Sequence, residues 1–274
     1  MKIDCHMHVP WQGYDADRAV GHLDELGIDK ACLLTWELVD GLSTDYQHLP
    51  AKAMWAACEK YPDRFIPFYA PDPRRPDAAE VLKAAIARGV KGFGECKVRV
   101  CIENPDLIEL FRIAGDAGLP VLLHLQTVRR LTYNEWYLHD IDGLDRVLGM
   151  MPDVNFIGHG PAFWSAISGD DSVETPGWYP KGPVTPGGKL VEMLERHANL
   201  YCDLSATSGL NAISRDPDWG REFVVRYRER LLYGTDVFNR RHLDYLEGLE
   251  LDEDTMTMIM GGNAQRLLNA NLSS

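Results

Sequence analysis

The chain opens MKIDCHMHVP, with His6 and His8 one residue apart. In an extended strand, alternation puts Asp4, His6 and His8 on one face and Cys5 and Met7 on the other. Two neutral imidazoles side by side can bind one cation from one side. Four more ligand-type residues each follow a short apolar run: Glu95 in GVKGFGE, His124 in PVLLH, His159 in NFIGH and Asp236 in LLYGTD. Imidazole with carboxylate suits zinc first, with manganese, iron or nickel as substitutes. An isolated HxH arises by chance, whereas HxH with four further ligand types at matching places is a strong signal. One or two such ions would lower the pKa of a bound water toward neutrality. Asp236 would take the proton from that water and return it to a leaving group. His159 would hold a second ion or donate to a developing oxyanion. Glu95 would bridge two ions, ligate one or act as an acid. Asp4 reads as a buried carboxylate supporting the histidines.

The elements that must position these residues follow from patterning. Strands are expected at Lys2–His6, Lys30–Thr35, Arg64–Tyr69, Lys91–Glu95, Pro120–His124, Asn155–Gly158, Leu200–Leu204 and Leu232–Gly234. Helical stretches lie between them. DADRAVGHLDELG starts on an Asp suited to an N-cap and stops at Gly27. PDAAEVLKAAIARG and NPDLIELFRIAGDAG carry an early Pro and a closing Gly in the same way. GGKLVEMLERHAN precedes the seventh strand and DPDWGREFVVRYRERL the eighth. Strand and helix alternating eight times predict an α/β chain folded as a (β/α)8 TIM barrel, regular or distorted, with residues 1–274 as a single domain. An open, doubly wound sheet would want a glycine-rich loop after its first strand, where this chain has HMHVPWQGYD. In a barrel all six ligand-type residues sit at strand carboxyl ends and meet at one mouth. The Gly-, Pro- and aromatic-rich stretch Phe163–Gly188 is long for a connection and reads as an active-site loop after strand six.

Composition excludes several classes. The net charge of −13, without a basic block, argues against nucleic-acid and anionic-membrane partners. No apolar run is long enough to span a bilayer. The six cysteines have no paired spacing, as in a reduced, cytoplasmic protein, and none forms a CxxC site. Sequence leaves homo-oligomerisation open.

Around the expected mouth, Lys97 and Arg99 follow strand four and Arg129 and Arg130 follow strand five. Ser205, Ser208, Asn211 and Arg215 follow strand seven, and Arg240 and Arg241 follow Asp236. Lys97, Arg99 and Arg240 are the candidates for holding an anionic group of a small substrate. Trp11, Trp136, Tyr137, Trp164, Trp178 and Tyr179 would line a pocket or pack the loops onto the rim. His22, His48, His197 and His242 fall in or beside helical segments and read as structural; His139 is less clear. Cys96 points away from Glu95 and reads as core.

The set His6, His8, Glu95, His124, His159 and Asp236 resembles the amidohydrolase superfamily, and the DCHMH start resembles its amidohydrolase 2 group. GGNAQRLLN near the carboxyl end is similar to that family's closing helix. The resemblance implies a metal-dependent barrel enzyme. The group includes hydrolases, lactonases, hydratases and nonoxidative decarboxylases. GFGE also resembles TatD-like nucleases, which the acidic charge disfavours. Glu95 stands where other members have a bridging carboxylated Lys; Lys97, two residues on, has the same parity. The main expectation is hydrolysis of an amide, ester or lactone. Decarboxylation or hydration of a small carboxylic acid is the first rival, and a barrel that binds a ligand without catalysis is the second.

Overall fold

The structure, a computed structural model, describes residues 1–39, 49–126, 137–138, 141–170 and 179–269. Eight parallel strands run β1 (Ile3–Met7), β2 (Lys30–Leu33), β3 (Phe65–Pro67), β4 (Phe93–Cys96), β5 (Val121–His124), β6 (Phe156–His159), β7 (Leu200–Asp203) and β8 (Leu231–Leu232). They pair in sequence order as β1-β2-β3 and β4-β5-β6-β7-β8. Two seams close the ring. Tyr69 N donates to Gly92 O at 3.0 Å between β3 and β4, and Cys5 N donates to Tyr233 O at 2.9 Å between β1 and β8. The result is the expected (β/α)8 barrel.

Helices cover the outside: α1 (Ala16–Leu26), α2 (Ala51–Lys60), α3 (Ala78–Arg88), α4 (Pro105–Asp116), α5 (Ile141–Met150), α6 (Pro161–Ser165), α7 (Lys189–Arg196), α8 (Ala206–Ser214), α9 (Pro217–Arg226), α10 (Arg241–Gly248), α11 (Glu253–Thr257) and α12 (Asn263–Asn269). Their ends follow local chemistry. The Asp15 side chain accepts from Arg18 N, and Gly27 closes α1 in the left-handed region at φ 64°. The Asn104 side chain accepts from the backbone at the start of α4, ahead of Pro105.

Strand side chains alternate between two buried layers. Ala31, Leu33, Val121, Leu123 and Phe156 face the helices, within the main core. Ile3, Cys5, Cys32, Leu122, Ile157 and Leu232 fill the barrel floor, where Ala264, Leu267 and Leu268 of α12 meet them. Above that floor the inward positions become polar.

Two expectations are corrected. Alternation over residues 4–8 fails because β1 shifts register against β2 between Asp4 and Met7. Cys5, expected opposite His6, therefore faces the barrel interior, its thiol 3.4 Å from Asp203 Oδ1. The stretch Phe163–Gly188 is not all loop: α6 runs into it, and Phe163 and Trp164 are buried core residues. Its residues 171–178 lie outside the described part.

Candidate active site

The carboxyl ends of the strands bring the histidines and carboxylates together, as the barrel requires. His6 and His8 leave β1, and their Nε2 atoms stand 3.0 Å apart. Each ring is held from behind. His6 Nδ1 donates to Asp203 Oδ2 at 2.6 Å, and His8 Nδ1 donates to the Leu34 carbonyl at 2.9 Å. Asp236 enters from the loop after β8, with Oδ1 3.6 Å from His6 Nε2 and 3.5 Å from His8 Nε2. Its backbone N–H donates to His6 O at 2.8 Å, and it occupies the left-handed region at φ 59°. Glu95 Oε2 lies 3.5 Å from His8 Nε2, and Oε1 lies 3.9 Å from His159 Nε2.

Two groups of ligand atoms result, each with all its atoms within 4.8 Å of one another: His6, His8 and Asp236, and His6, Glu95 and His159. Their environment fits a cation. With both Nδ1 protons committed, His6 and His8 turn their Nε2 atoms toward each other at hydrogen-bond distance, so that a proton or a cation belongs between them. Glu95 Oε2 is buried without a hydrogen-bond partner among the described residues. Burial lowers the pKa of His6, but Asp236, Asp203 and Glu95 outweigh it and push it up to about 10. Without a metal, a proton must balance this negative surplus. A divalent ion held by the same side chains would do so with oxygen and nitrogen ligands of the right type.

His124 reaches the site but stands outside both groups. Its Nδ1 donates to Glu95 Oε1 at 2.6 Å, and its Nε2 lies 3.1 Å from the Gln126 side-chain amide. Burial, with the charge of Lys97, holds its pKa down to about 4, against the opposing pull of Glu95. The Gln126 atom at that contact is Oε1; a neutral ring donating through Nδ1 would instead accept at Nε2, and turning the amide over would give its NH2, which has no partner among the described residues, that acceptor. Glu95 is pushed up by burial, but Lys97 and His124 outweigh it and hold it well below the usual carboxylate range.

A cleft of about 100 Å³ opens onto these groups, lined by Trp11, Trp36, Lys97, Tyr179 and Asp236 among others. Trp11 and Trp36 meet edge to face, 5.6 Å apart. The Lys97 ammonium is 4.7 Å from the centre of the Trp36 ring, a cation–π distance.

A sequence profile described as amidohydrolase matches residues 3–270. The chain belongs to that amidohydrolase family. Among solved structures it is similar to an amidohydrolase of Burkholderia multivorans with bound zinc, at TM-score 0.65 and 14% identity over 98% of this chain and 99% of that one. It is similar to a probable 2-pyrone-4,6-dicarboxylic acid hydrolase of Acinetobacter baumannii with citric acid bound, at 0.63 and 15% over 98% and 99%. It is also similar to 5-carboxyvanillate decarboxylase of Novosphingobium aromaticivorans, complexed with manganese and a nitrobenzoic acid, at 0.64 and 15% over 98% and 96%. At such identities these likenesses show the fold. No curated protein sequence matches the chain.

The rim residues divide. Lys97 and Ser208 line the cleft with Trp11 and Tyr179. Arg99 is half-buried and is not among the cleft's lining residues. Arg240 is turned away, pairing with Asp244 at 2.6 Å and Glu247 at 2.8 Å on α10. Trp164 is core, its indole N–H donating to Asp203 O at 3.0 Å. Tyr137 is buried with its ring edge-on to His124. His197 pairs with Asp145, and His242 lies 2.7 Å from the Ala206 carbonyl. Arg129, Arg130, Trp136, Trp178, His48 and His139 lie outside the described residues. Asp4 is fully buried, accepting from Thr235 Oγ1 at 2.6 Å and from His6 N at 2.9 Å. Sequence reading missed Asp203, Trp36 and Gln126. Asp203 carried a usable signal, an acid at the carboxyl end of a strand, as Glu95 is.

Proposed function

We propose that the chain is a metal-dependent hydrolase that cleaves an ester, lactone or amide of a small substrate carrying an anionic group. The observation that carries this reading is Asp236. Its carboxylate is near both His6 and His8, yet it is a fifth exposed and faces the cleft. His6, His8 and Asp236, with Glu95 and His159 beside them, would hold a divalent ion, zinc first. Such an ion would acidify water and polarise an acyl oxygen.

The chain's own groups complete the chemistry. A carboxylate oxygen of Asp236 accepts a proton from water in the cleft as the water oxygen attacks the acyl carbon. The same oxygen returns that proton to the leaving heteroatom as its bond to carbon breaks. Lys97 supplies the positive charge that draws an anionic group to the Trp36 side of the cleft. Trp11 and Trp36, packed edge to face, give the cleft apolar surface on that side. The buried free thiols accord with a reducing compartment such as the cytoplasm.

The aromatic wall beside Lys97 also favours a second reading, nonoxidative decarboxylation of an aromatic acid. One assay separates the two. Protein purified without chelator is given lactones and aryl esters bearing a carboxylate, and hydroxybenzoates, with acid release and CO2 followed in parallel. Acid release that stops with chelator and returns with zinc or manganese supports hydrolysis. CO2 release alone selects the second reading. Full turnover by Asp236→Asn would overturn the proton-transfer role.

A further inference from the structure

Asp203, at the end of β7, is fully buried and faces two histidines at once. Its Oδ2 accepts from His6 Nδ1 at 2.6 Å, from Ser205 Oγ at 2.8 Å, and lies 3.0 Å from His159 Nδ1. Its Oδ1 accepts from Ser205 N at 2.9 Å and faces the Cys5 thiol at 3.4 Å. His159 Nδ1 is also 3.1 Å from Ser205 Oγ. Every group around this carboxylate can thus donate to it.

We propose that Asp203 is a positioning residue that fixes His6 and His159 together as Nδ1–H tautomers, so that both bare Nε2 atoms face the metal centre. The proposal rests on the metalloenzyme reading of that centre. A neutral imidazole carries one proton, and the acceptor beside one nitrogen decides which nitrogen holds it. Here a single oxygen decides it for two rings. His6 belongs to both ligand groups and His159 to one, so Asp203 holds at least one ligand of each group.

The donor pattern explains why this residue is Asp rather than Asn. With Asn, the NH2 must replace either Oδ1 or Oδ2. In the first place it confronts Ser205 N–H. In the second it confronts both imidazole N–H groups, and relief requires a ring to move its proton to Nε2. That proton would then occupy a lone pair that a metal needs.

The test uses full-length protein labelled with 15N-histidine and loaded with zinc. Long-range 15N–1H correlation reads which ring nitrogen is protonated, and a competing chromophoric chelator reads zinc affinity. The His6 and His159 signals are assigned by their loss in His6→Asn and His159→Asn. In the unsubstituted protein both rings are expected to carry Nδ1–H. In Asp203→Asn at least one should lose it, with zinc bound 10- to 100-fold more weakly. Ser205→Ala, which keeps the carboxylate, should change zinc affinity less than threefold. A bare Nδ1 on either ring of the unsubstituted protein overturns the proposal, and this outcome stands even if Asp203→Asn does not fold. So does a folded Asp203→Asn with both Nδ1 protons and zinc affinity within threefold. A protein with both Nδ1 protons in place that binds no zinc or manganese would overturn the metalloenzyme reading and leave the positioning role standing.

Discussion

Glu95 is anchored to Nδ1 of His124 through Oε1 at 2.6 Å, while its Oε2 has no hydrogen-bond partner among the described residues. One oxygen fixes the side chain and the other is left for a cation. Glu95→Gln keeps the shape and removes the charge. Added zinc at a thousandfold excess over its Kd should stabilise the unsubstituted protein by about 4 kcal/mol. The variant should lose most of that gain, and hydrolysis should fall at least 100-fold. Thermal melts with and without zinc check this; an undiminished rise in Tm would show that Glu95 is not a ligand.

Asp236→Asn tests proton transfer with little disturbance of the backbone. Asp236 sits at φ 59°, a region that Asn tolerates and β-branched residues do not. The variant should melt within a few degrees of the parent. Its kcat should drop by about 10² to 10⁴, the range expected for a lost general acid–base, with a smaller change in KM. A loss confined to KM would assign Asp236 to binding.

Lys97→Met removes the cation beside Trp36 and leaves an apolar chain of similar length. KM should rise at least tenfold for a carboxylated ester and stay within about twofold for its neutral analogue. Equal rises for both would mean that Lys97 shapes the cleft and does not read charge.

The bounds of α1 and the end of β5 were legible because they depend on neighbours in sequence, whereas the expected β8, Leu232–Gly234, fell later than the observed Leu231–Leu232. Asp15 with Gly27 bounded α1, and the run before His124 ended where β5 ends. What escaped depended on pairing across the barrel. Cys5 turns inward because β1 slips against β2, a property of two strands that neither sequence displays alone. Trp36 follows β2 with no local mark of function; it matters because His8, Lys97 and Trp11 surround it. Arg240 was the opposite case. Asp244 and Glu247 lie four and seven residues on, so helical spacing already offered it local partners.

Asp145 ties α5 to α7, meeting Lys189 at 2.8 Å, Arg196 at 2.7 Å and His197 at 2.6 Å. Burial raises its pKa, but these partners, led by Lys189 and His197, outweigh it and hold it at about 2 against an ordinary 3.8. A depressed folded-state pKa gives stability that is complete above the unfolded value and lost as pH falls through the folded one. Asp145→Asn should therefore cost up to about 2 kcal/mol at pH 6, with the gap closing between pH 4 and pH 2. Urea unfolding at pH 6 and pH 3 checks this; a gap that widens in acid would contradict it.

The seam between Cys5 N and Tyr233 O sets an order on biosynthesis. The first strand leaves the ribosome with two histidines, but its neighbour on that side is made about 230 residues later. At 5–20 residues per second, that interval is roughly ten to fifty seconds. During it the nascent chain carries an HxH pair without Asp203 behind His6 or Asp236 in front. The centre is thus complete only once β8 and Asp236 have been made, and the protein's metal would be chosen from the pool it meets as a completed barrel.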